Sequence, residues 1–542
     1  MSLLASFEIG TRSLRTFQTA IQTVSHNISN VNTPGYSRQR IVLTTEHPDR
    51  TDRFDVGRGV RMMGVERLRD AFFEASWRRE TTGQGQAEAL ATAFKSAEAL
   101  FPEPNGDGLS TRMDKFWSAW QELANHPTDP GIRAVVLTRG ADLAAGLNQT
   151  LQGIAQQRAD ADSEIAAAVP QINSTAREIY QLNDSIKTAL LNGQTPNDAL
   201  DRRDFLVGQL SQWTSIQVVD HADGSVAVYA GGAPLVEEGR VGSLETLPRA
   251  GDPEGHLEIR WKETGDVFEP IGGRLGGWTT ARDVVLPGLA QSLADWSRTL
   301  RDEVNALHRT GVGLDGSTSL RGAVNFTGTL AADATVSLNG VDIALNAGDD
   351  LATVVSRLNA QEAATGVHAA VDGARLVLAP GGATPQTVHV TGDPDGAWKS
   401  LGIVNDFFSG EPGALGLSDA VRNNPDAVAA SASGAPGDNT LARALAGLRD
   451  KKALSGGTTS FDGSYQGFLA DLGARSAAAQ ASQENQSFLL QQIDQLRESV
   501  SGVSLDEELT DLIRYQRSYE MAARSIQTAD EMLGTLLDMV HR

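Results

Sequence analysis

Three consecutive carboxylates, Asp506-Glu507-Glu508, are the first candidates for chemistry, because general acid–base catalysis uses paired acids. Ser504 and Glu507 have the spacing of a capping box, and acidic residues suit the positive start of a helix. The trio therefore reads as structural. Asp201-Arg202-Arg203-Asp204 carries its counter-ions within it and reads as local ion pairing. Gly311, Gly313 and Gly316 fit G-x-G-x-x-G, a dinucleotide fingerprint that needs a strand before it and a helix after it. Here a helix precedes and a Gly/Ser loop follows. The nine histidines include no H-E-x-x-H and no paired metal spacing, and no G-x-S-x-G elbow or P-loop occurs. Cysteine is absent, which excludes thiol catalysis, disulfides and Cys-ligated metals. The sequence predicts neither an enzyme nor a bound cofactor or metal.

The elements that carry these residues are helical at both ends of the chain. Leu3, Phe7, Leu14, Phe17, Ile21, Val24, Ile28 and Val31 recur every three or four positions, with Gly10 in the one missing slot. That is a heptad seam of about four repeats. It stops at Asn30-Val31-Asn32-Thr33-Pro34-Gly35-Tyr36. Pro34 fixes φ at the second position of a turn, and Gly35 supplies the positive φ that a type II turn needs next. The last 40 residues repeat the pattern: Leu505, Leu509, Leu512, Gln516, Tyr519, Ala523, Ile526, Asp530, Leu533, Leu537 and Val540. An upstream stretch, Leu489 to Val503, has the same period, and Ser501-Gly502 is expected to interrupt or bend the two.

Between the ends, about 110–124, 130–195 and 281–308 read as helices. Ile165, Ile172, Ile179 and Ile186 stand at sevenfold spacing, and Pro170 is expected to kink their helix. Period two and hairpin turns at Asp223-Gly224, Asn339-Gly340 and Asp372-Gly373 mark β modules. The fold class is thus multidomain α+β, a long coiled-coil-like helical core built from both termini with small β domains inserted. The expected division is 1–215 (terminal helix 1–31, turn and extended segment 32–66, helices 67–215), a small β domain 216–278, a returning helix 279–322, an inserted hairpin-rich domain 323–404, and a C-terminal helical core 405–542.

The 542 residues hold 46 Lys+Arg against 68 Asp+Glu, a net charge of −22. That balance argues against nucleic acid as a partner, since phosphate binding needs clustered basic residues. No run of 18 apolar residues is present, so no membrane insertion is expected. Met-Ser-Leu-Leu-Ala-Ser-Phe-Glu lacks the basic and apolar regions of a cleavable secretory signal. The two ends carry opposite charge: residues 1–79 hold 12 basic and 8 acidic residues, 501–542 hold 4 and 8.

Ser25-His26-Asn27-Ile28-Ser29-Asn30-Val31-Asn32-Thr33-Pro34-Gly35-Tyr36-Ser37-Arg38-Gln39 resembles the N-terminal signature of the bacterial flagellar axial proteins. Ser501 to Glu508, Leu512 to Tyr519, Ile526 to Leu533 and Gly272 to Arg309 resemble the hook-associated, hook–filament junction branch of that family. Residues 323–404 are similar instead to the hairpin-rich inserts of flagellins and filament-cap proteins. The resemblance implies a structural, extracellular component of the flagellum, at the hook–filament junction. It implies export by the flagellar type III apparatus without a cleaved signal peptide. The implied partners are copies of the same chain in a ring, the hook protein, a second junction protein with the filament, and an export chaperone on the C-terminal helix. The expected assembly seam is Leu14, Phe17, Ile21, Val24 and Ile28 with Leu509, Leu512, Ile526, Leu533 and Leu537. The expected turn motif is Asn30, Asn32, Pro34, Gly35 and Tyr36. Another axial type, flagellin or hook protein, is the alternative, and a secreted adhesin or glycan-active protein a more distant one.

Overall fold

A computed structural model describes residues 3–540 except 48, 51–54, 104–105, 312, 315–319, 323, 382–387, 389, 392–395, 404–405, 434 and 436. Its contacts fall into two compact units. The first comprises 1–93, 159–282 and 477–542, and the second 94–158 and 283–476.

In the first unit the N-terminal helix, Leu3–Ser29, pairs with the C-terminal helix, Leu505–Val540. The extended segment that follows the N-terminal helix is a hairpin, Gln39–Thr45 against Val60–Arg67, with a bulge between Val42 and Leu43. The hairpin runs back along the helix, where Gly59 packs on Ile9 and Arg58 bonds Glu8 at 3.1 Å. The long helix Pro130–Leu191 continues through Pro170. Ile165, Ile172, Ile179 and Ile186 are all buried. The first three of them sit in a core shared with the helix Asn197–Trp213 and with the antiparallel sheet Ile216–Asp220, Val226–Ala230, Ala233–Glu237, Arg240–Val241. Three polar side chains on the long helix stitch strand ends to it. Asp162 accepts from the Leu257 amide at 3.0 Å. Asn173 exchanges two bonds with the Leu244 backbone, and Asn183 does the same with Val226. Spacings of 10 and 11 residues are close to three helical turns, so all three lie on one face.

The second unit is organised around the helix Leu109–Asn125. Phe116, Trp117 and Trp120 are fully buried, with ring centroids 5.7 Å from Phe408, 6.0 Å from Phe461 and 5.3 Å from Phe407 respectively. Asn305 pins the facing strand, its amide oxygen accepting from the Phe407 and Phe408 N–H groups and its NH2 donating to the Phe408 carbonyl. Only 6% of the chain is aromatic, so this concentration makes the cluster the main aromatic core. The insert has its own apolar core, with Val336, Leu338, Val354, Leu358, Val367, Leu376 and Leu378 at its centre. Its first hairpin turns at Asn339 (φ 48°) and Gly340 (φ 80°), the two positive values of a type I′ turn. Asp350 caps the short helix Leu351–Asn359 by accepting from the Thr353 amide at 2.8 Å.

Candidate functional site

The terminal helix pair is where the polypeptide's two ends meet. Tyr36 N–H donates to the Thr33 carbonyl at 3.1 Å across Pro34 and Gly35, whose φ is +80°, giving the turn pattern that the sequence predicts. A Cβ on Gly35 would also lie 2.8 Å from the Phe205 side chain, so glycine is required there twice over. Asn30 closes the end of the helix, donating from its side chain to the His26 carbonyl at 3.0 Å and accepting from the Thr33 hydroxyl. Asn32 is exposed.

This turn delivers a buried polar knot. The Asn27 amide oxygen accepts from the Tyr36 hydroxyl at 2.7 Å and from the Gln39 N–H at 3.0 Å. Its NH2 donates to the Gln39 carbonyl at 2.8 Å and to Glu508 Oε2 at 2.9 Å. Those partners fix the amide's orientation, because Gln39 N–H can only donate. The Tyr36 proton is then spent on Asn27, so His26 Nδ1, 3.0 Å away, is the donor to the phenol oxygen. Burial, and then the charges of Asp198, Asp201 and Glu508, push the Tyr36 phenol well above its usual range, keeping it protonated. Arg38 Nε donates to Glu508 Oε1 at 2.7 Å, Arg38 Nη1 to Glu507 Oε2 at 2.6 Å, and the Arg38 amide to the Ser501 carbonyl at 2.8 Å. Asn27 and Glu508 are each 1% exposed.

The helix Asn197–Trp213 closes the other side. Asp201 accepts from the Ser37 amide at 3.0 Å and from Arg67 at 2.8 Å, and Asp204 pairs with Arg67, Arg69 and Arg203. Asn197 donates to Gln39 and to the Val65 carbonyl. Burial, helped by the charge of Arg67, lowers the Arg203 guanidinium to about 10. It still carries its charge at neutral pH and donates to the Gly224 carbonyl at 2.6 Å.

The two charge motifs therefore work differently from the sequence expectation. Asp201 and Asp204 reach arginines more than 130 residues away rather than only their neighbours. Glu507 spends its carboxylate on Arg38, and among the described residues Ser504 and Glu507 make no capping box. Gly311 and Gly313 follow the helix end at His308, and Gly316 lies outside the described residues. One trio, Asp252, Glu254 and His256, is close enough to suggest a metal. There His256 lies with Nδ1 2.8 Å from Asp252 and Nε2 3.4 Å from Glu254, so both ring nitrogens are engaged by carboxylates.

Beyond the knot the helices run antiparallel, with Gly10 against Ile526 and Phe17 against Tyr515 (ring centroids 6.4 Å). The seam that faces inward is made of small and polar side chains. On the first helix it is Gly10, Thr16, Ala20, Thr23, Val24 and Asn27. On the second it is Glu508, Tyr515, Ala522 and Ala529, spaced by sevens, of which Glu508, Ala522 and Ala529 are fully buried. Of the expected seam residues, Val24 is buried, while Leu14, Phe17, Ile21, Ile28, Leu512, Ile526 and Leu533 are half-buried. Leu509 and Leu537 face solvent, 49% and 58% exposed. Leu505, Ile513, Met521, Met532, Leu536 and Met539 are exposed with them. Gly10 is a socket rather than a gap, since a Cβ there would lie 2.5 Å from Ile526 Cγ1. Sequence reasoning missed Asn27, Arg38, Gln39, Asp201 and Glu508 as one constellation. The available signal was a polar residue in step with a buried seam, three after Val24 and four before Leu512.

The arrangement ties the two ends of the chain together through buried hydrogen bonds and ion pairs. Comparison with known proteins agrees with that character. Residues 94–321 match the flagellar hook-associated protein FlgK helical domain, 7–36 the flagella basal body rod protein, 480–539 the flagellar basal body rod FlgEFG protein C-terminal region, and 324–380 the flagellin hook IN motif. Flagellar hook-associated protein 1 of Salmonella typhimurium is 28% identical over 97% of this chain and 98% of its own length. The protein of that name in Bacillus subtilis is 26% identical over 99% and 98%. The solved structure of the flagellar hook junction protein FlgK from Burkholderia pseudomallei shares the fold, with a TM-score of 0.55, 20% identity, and coverage of 78% of this chain and all of that one. With its rod-type ends, its hook-associated helical domain and its near full-length relatives, the chain is similar over almost its whole length to flagellar hook-associated protein 1.

Proposed function

We propose that this chain is a mechanical subunit of the bacterial flagellum, joining hook to filament as a ring of identical copies packed through their terminal helices. The supporting observation is the sorting of side chains on the C-terminal helix. Glu508, Ala522 and Ala529 are buried against its own partner helix, with Tyr515 and Ile526 half-buried beside them, while Leu505, Leu509, Ile513, Leu536 and Leu537 are left in water. Leu505, Leu509 and Ile513 follow one another at four-residue spacing, and exposed apolar surface of this kind supports a site for another protein. The expected seam residues Leu14, Phe17, Ile21, Val24, Ile28, Leu512, Ile526 and Leu533 shape the pair, and Leu509 and Leu537 carry contacts between copies. Hook protein on one side and a second junction protein with the filament on the other complete the stack. Before assembly the same exposed stripe suits an export chaperone. Export through the flagellar channel without a cleaved signal is part of this reading, and the role needs no catalysis.

The test is electron microscopy of flagella from a strain lacking the gene. Hooks without filaments, restored by the parent chain and not by a chain carrying Leu509→Asp and Leu537→Asp, are expected. Normal filaments in the deletion strain would sink the proposal.

A further inference from the structure

Apolar seams that repeat every seven residues fit almost equally well after a slip of one heptad, about 10 Å along the helix. They are also identical in every copy. The polar knot is neither repeated nor slippable. Asn27 NH2 and Arg38 Nε meet the two oxygens of Glu508 at 2.9 and 2.7 Å, in a place that is 1% exposed. A slip of one heptad would bring Tyr515 or Ser501 to that place, and either leaves the amide and guanidinium without a carboxylate. A single buried polar contact within an apolar seam is a known means by which helices choose register and partner.

We propose that Glu508, with Asn27 and Arg38, sets the register of the terminal pair and confines each C-terminal helix to the N-terminal helix of its own chain. The inference rests on the assembly reading above. In a ring of copies each C-terminal helix also meets the helices of its neighbours at high effective concentration, so connectivity alone no longer decides the pairing. The point at which exchange would hinge is Ser501-Gly502-Val503-Ser504, and the knot grips it directly through the Arg38 amide on the Ser501 carbonyl. Gly502 adds a tight bend, since a Cβ there would lie 2.4 Å from the Glu498 carbonyl oxygen.

The absence of cysteine makes the pairing readable. Gly10→Cys and Ile526→Cys in one full-length chain place two thiols across the seam within disulfide reach. This chain is oxidised in dilute solution and in isolated flagella. In parallel, cells co-express one copy with only Gly10→Cys and one with only Ile526→Cys. The parent background should cross-link within the chain, with no bond between copies. Adding Glu508→Gln or Asn27→Asp, both close in shape to the original, should lower the ratio of within-chain to between-chain bonds about tenfold to a hundredfold. Combining the two returns a contact between positions 27 and 508 with donor and acceptor exchanged, but position 27 still turns an oxygen toward the Gln39 carbonyl, so the ratio should recover only in part. An unchanged ratio in both single variants, or a between-copy bond already present in the parent, overturns the proposal. Normal filaments in the deletion strain, while the within-chain bond still responds to the knot variants in solution, overturn the assembly reading and support the lock.

Discussion

The terminal helix pair and the aromatic core around Leu109–Asn125 solve the same problem in opposite ways. Both use amphipathic helices without an interior proline. In the aromatic core the largest side chains, Trp117, Trp120 and Phe116, point inward and are covered completely. In the C-terminal helix Ala522 and Ala529 are buried, Tyr515 and Ile526 are only half-covered, and several large apolar side chains, Leu509 and Leu537 among them, remain in water. The first arrangement is finished within one chain. The second buries too little apolar area to be finished alone, and what it leaves open is what a partner can cover. On the proposed reading, the exposed apolar face of the terminal pair is the one that meets another copy, and the aromatic core has no such face to spare.

The comparison is tested first where folding should suffer most. Trp120→Ala removes a fully buried ring among Phe116, Phe407 and His308, and should cost about 3–5 kcal/mol. Calorimetry should show a lower midpoint for the second unit, with protection of the terminal helices unchanged. If the terminal helices lose protection too, the two regions are not independent.

Ile526→Asp attacks the other region. It puts a carboxylate into the Gly10 socket and should cost the pair about 2–5 kcal/mol. Hydrogen exchange should show both terminal helices opening while the aromatic core keeps its midpoint. Tyrosine titration reads the same event from inside the knot. Burial raises both Tyr36 and Tyr465 above the usual phenol range. A raised folded-state value stabilises below the ordinary value of 10.0 and is lost as pH rises toward the folded one. Tyr36 and Tyr465 should therefore stay un-ionised at about pH 11, where free phenols, with reference values near 10, ionise. In Ile526→Asp only Tyr465 should remain so; if Tyr36 stays raised, the knot holds without the seam. Gly10→Ala should be milder. Overpacking costs about 1–3 kcal/mol and the gain in helix propensity returns about 1. A stabilised pair would mean that Ile526 moves aside freely.

How much of this was readable in the residues follows from the range of the interactions. The terminal helices, the Pro34-Gly35 turn and the Asn339-Gly340 hairpin are local, and spacing or a glycine declares them. The hairpin 39–67 was read only as extended, because its two strands are 14 residues apart and Gly64 and a bulge break the alternation. Which face of each terminal helix points inward was not legible. A heptad count finds the apolar stripe, and here that stripe is rotated from the buried one by the preference of Gly10, Ala20, Ala522 and Ala529 for close backbone approach. The knot joins residues 470 to 481 positions apart. Glu508 looks like an ordinary acid in a first helical turn until Arg38 and Asn27 arrive beside it.

The sharpest form of the comparison is a change that folding should hardly notice. Leu537 is 58% exposed on the C-terminal helix, so Leu537→Asp removes little buried area from the single chain. Its effect on the stability of the monomer should stay within about 0.5 kcal/mol, the range of ordinary surface substitutions. In an assembly the same position would carry a charge into an apolar contact repeated once per copy, each time without a partner for that charge. The expected outcome is a chain with parental melting and parental within-chain pairing that is released into the medium instead of remaining on hook ends. Swimming at the parental rate would show that the open stripe is idle surface. A melting point lowered as much as in Ile526→Asp would show that Leu537 belongs to the finished side of the helix after all, and the proposed division between the two faces would fail at the residue where it is most exposed.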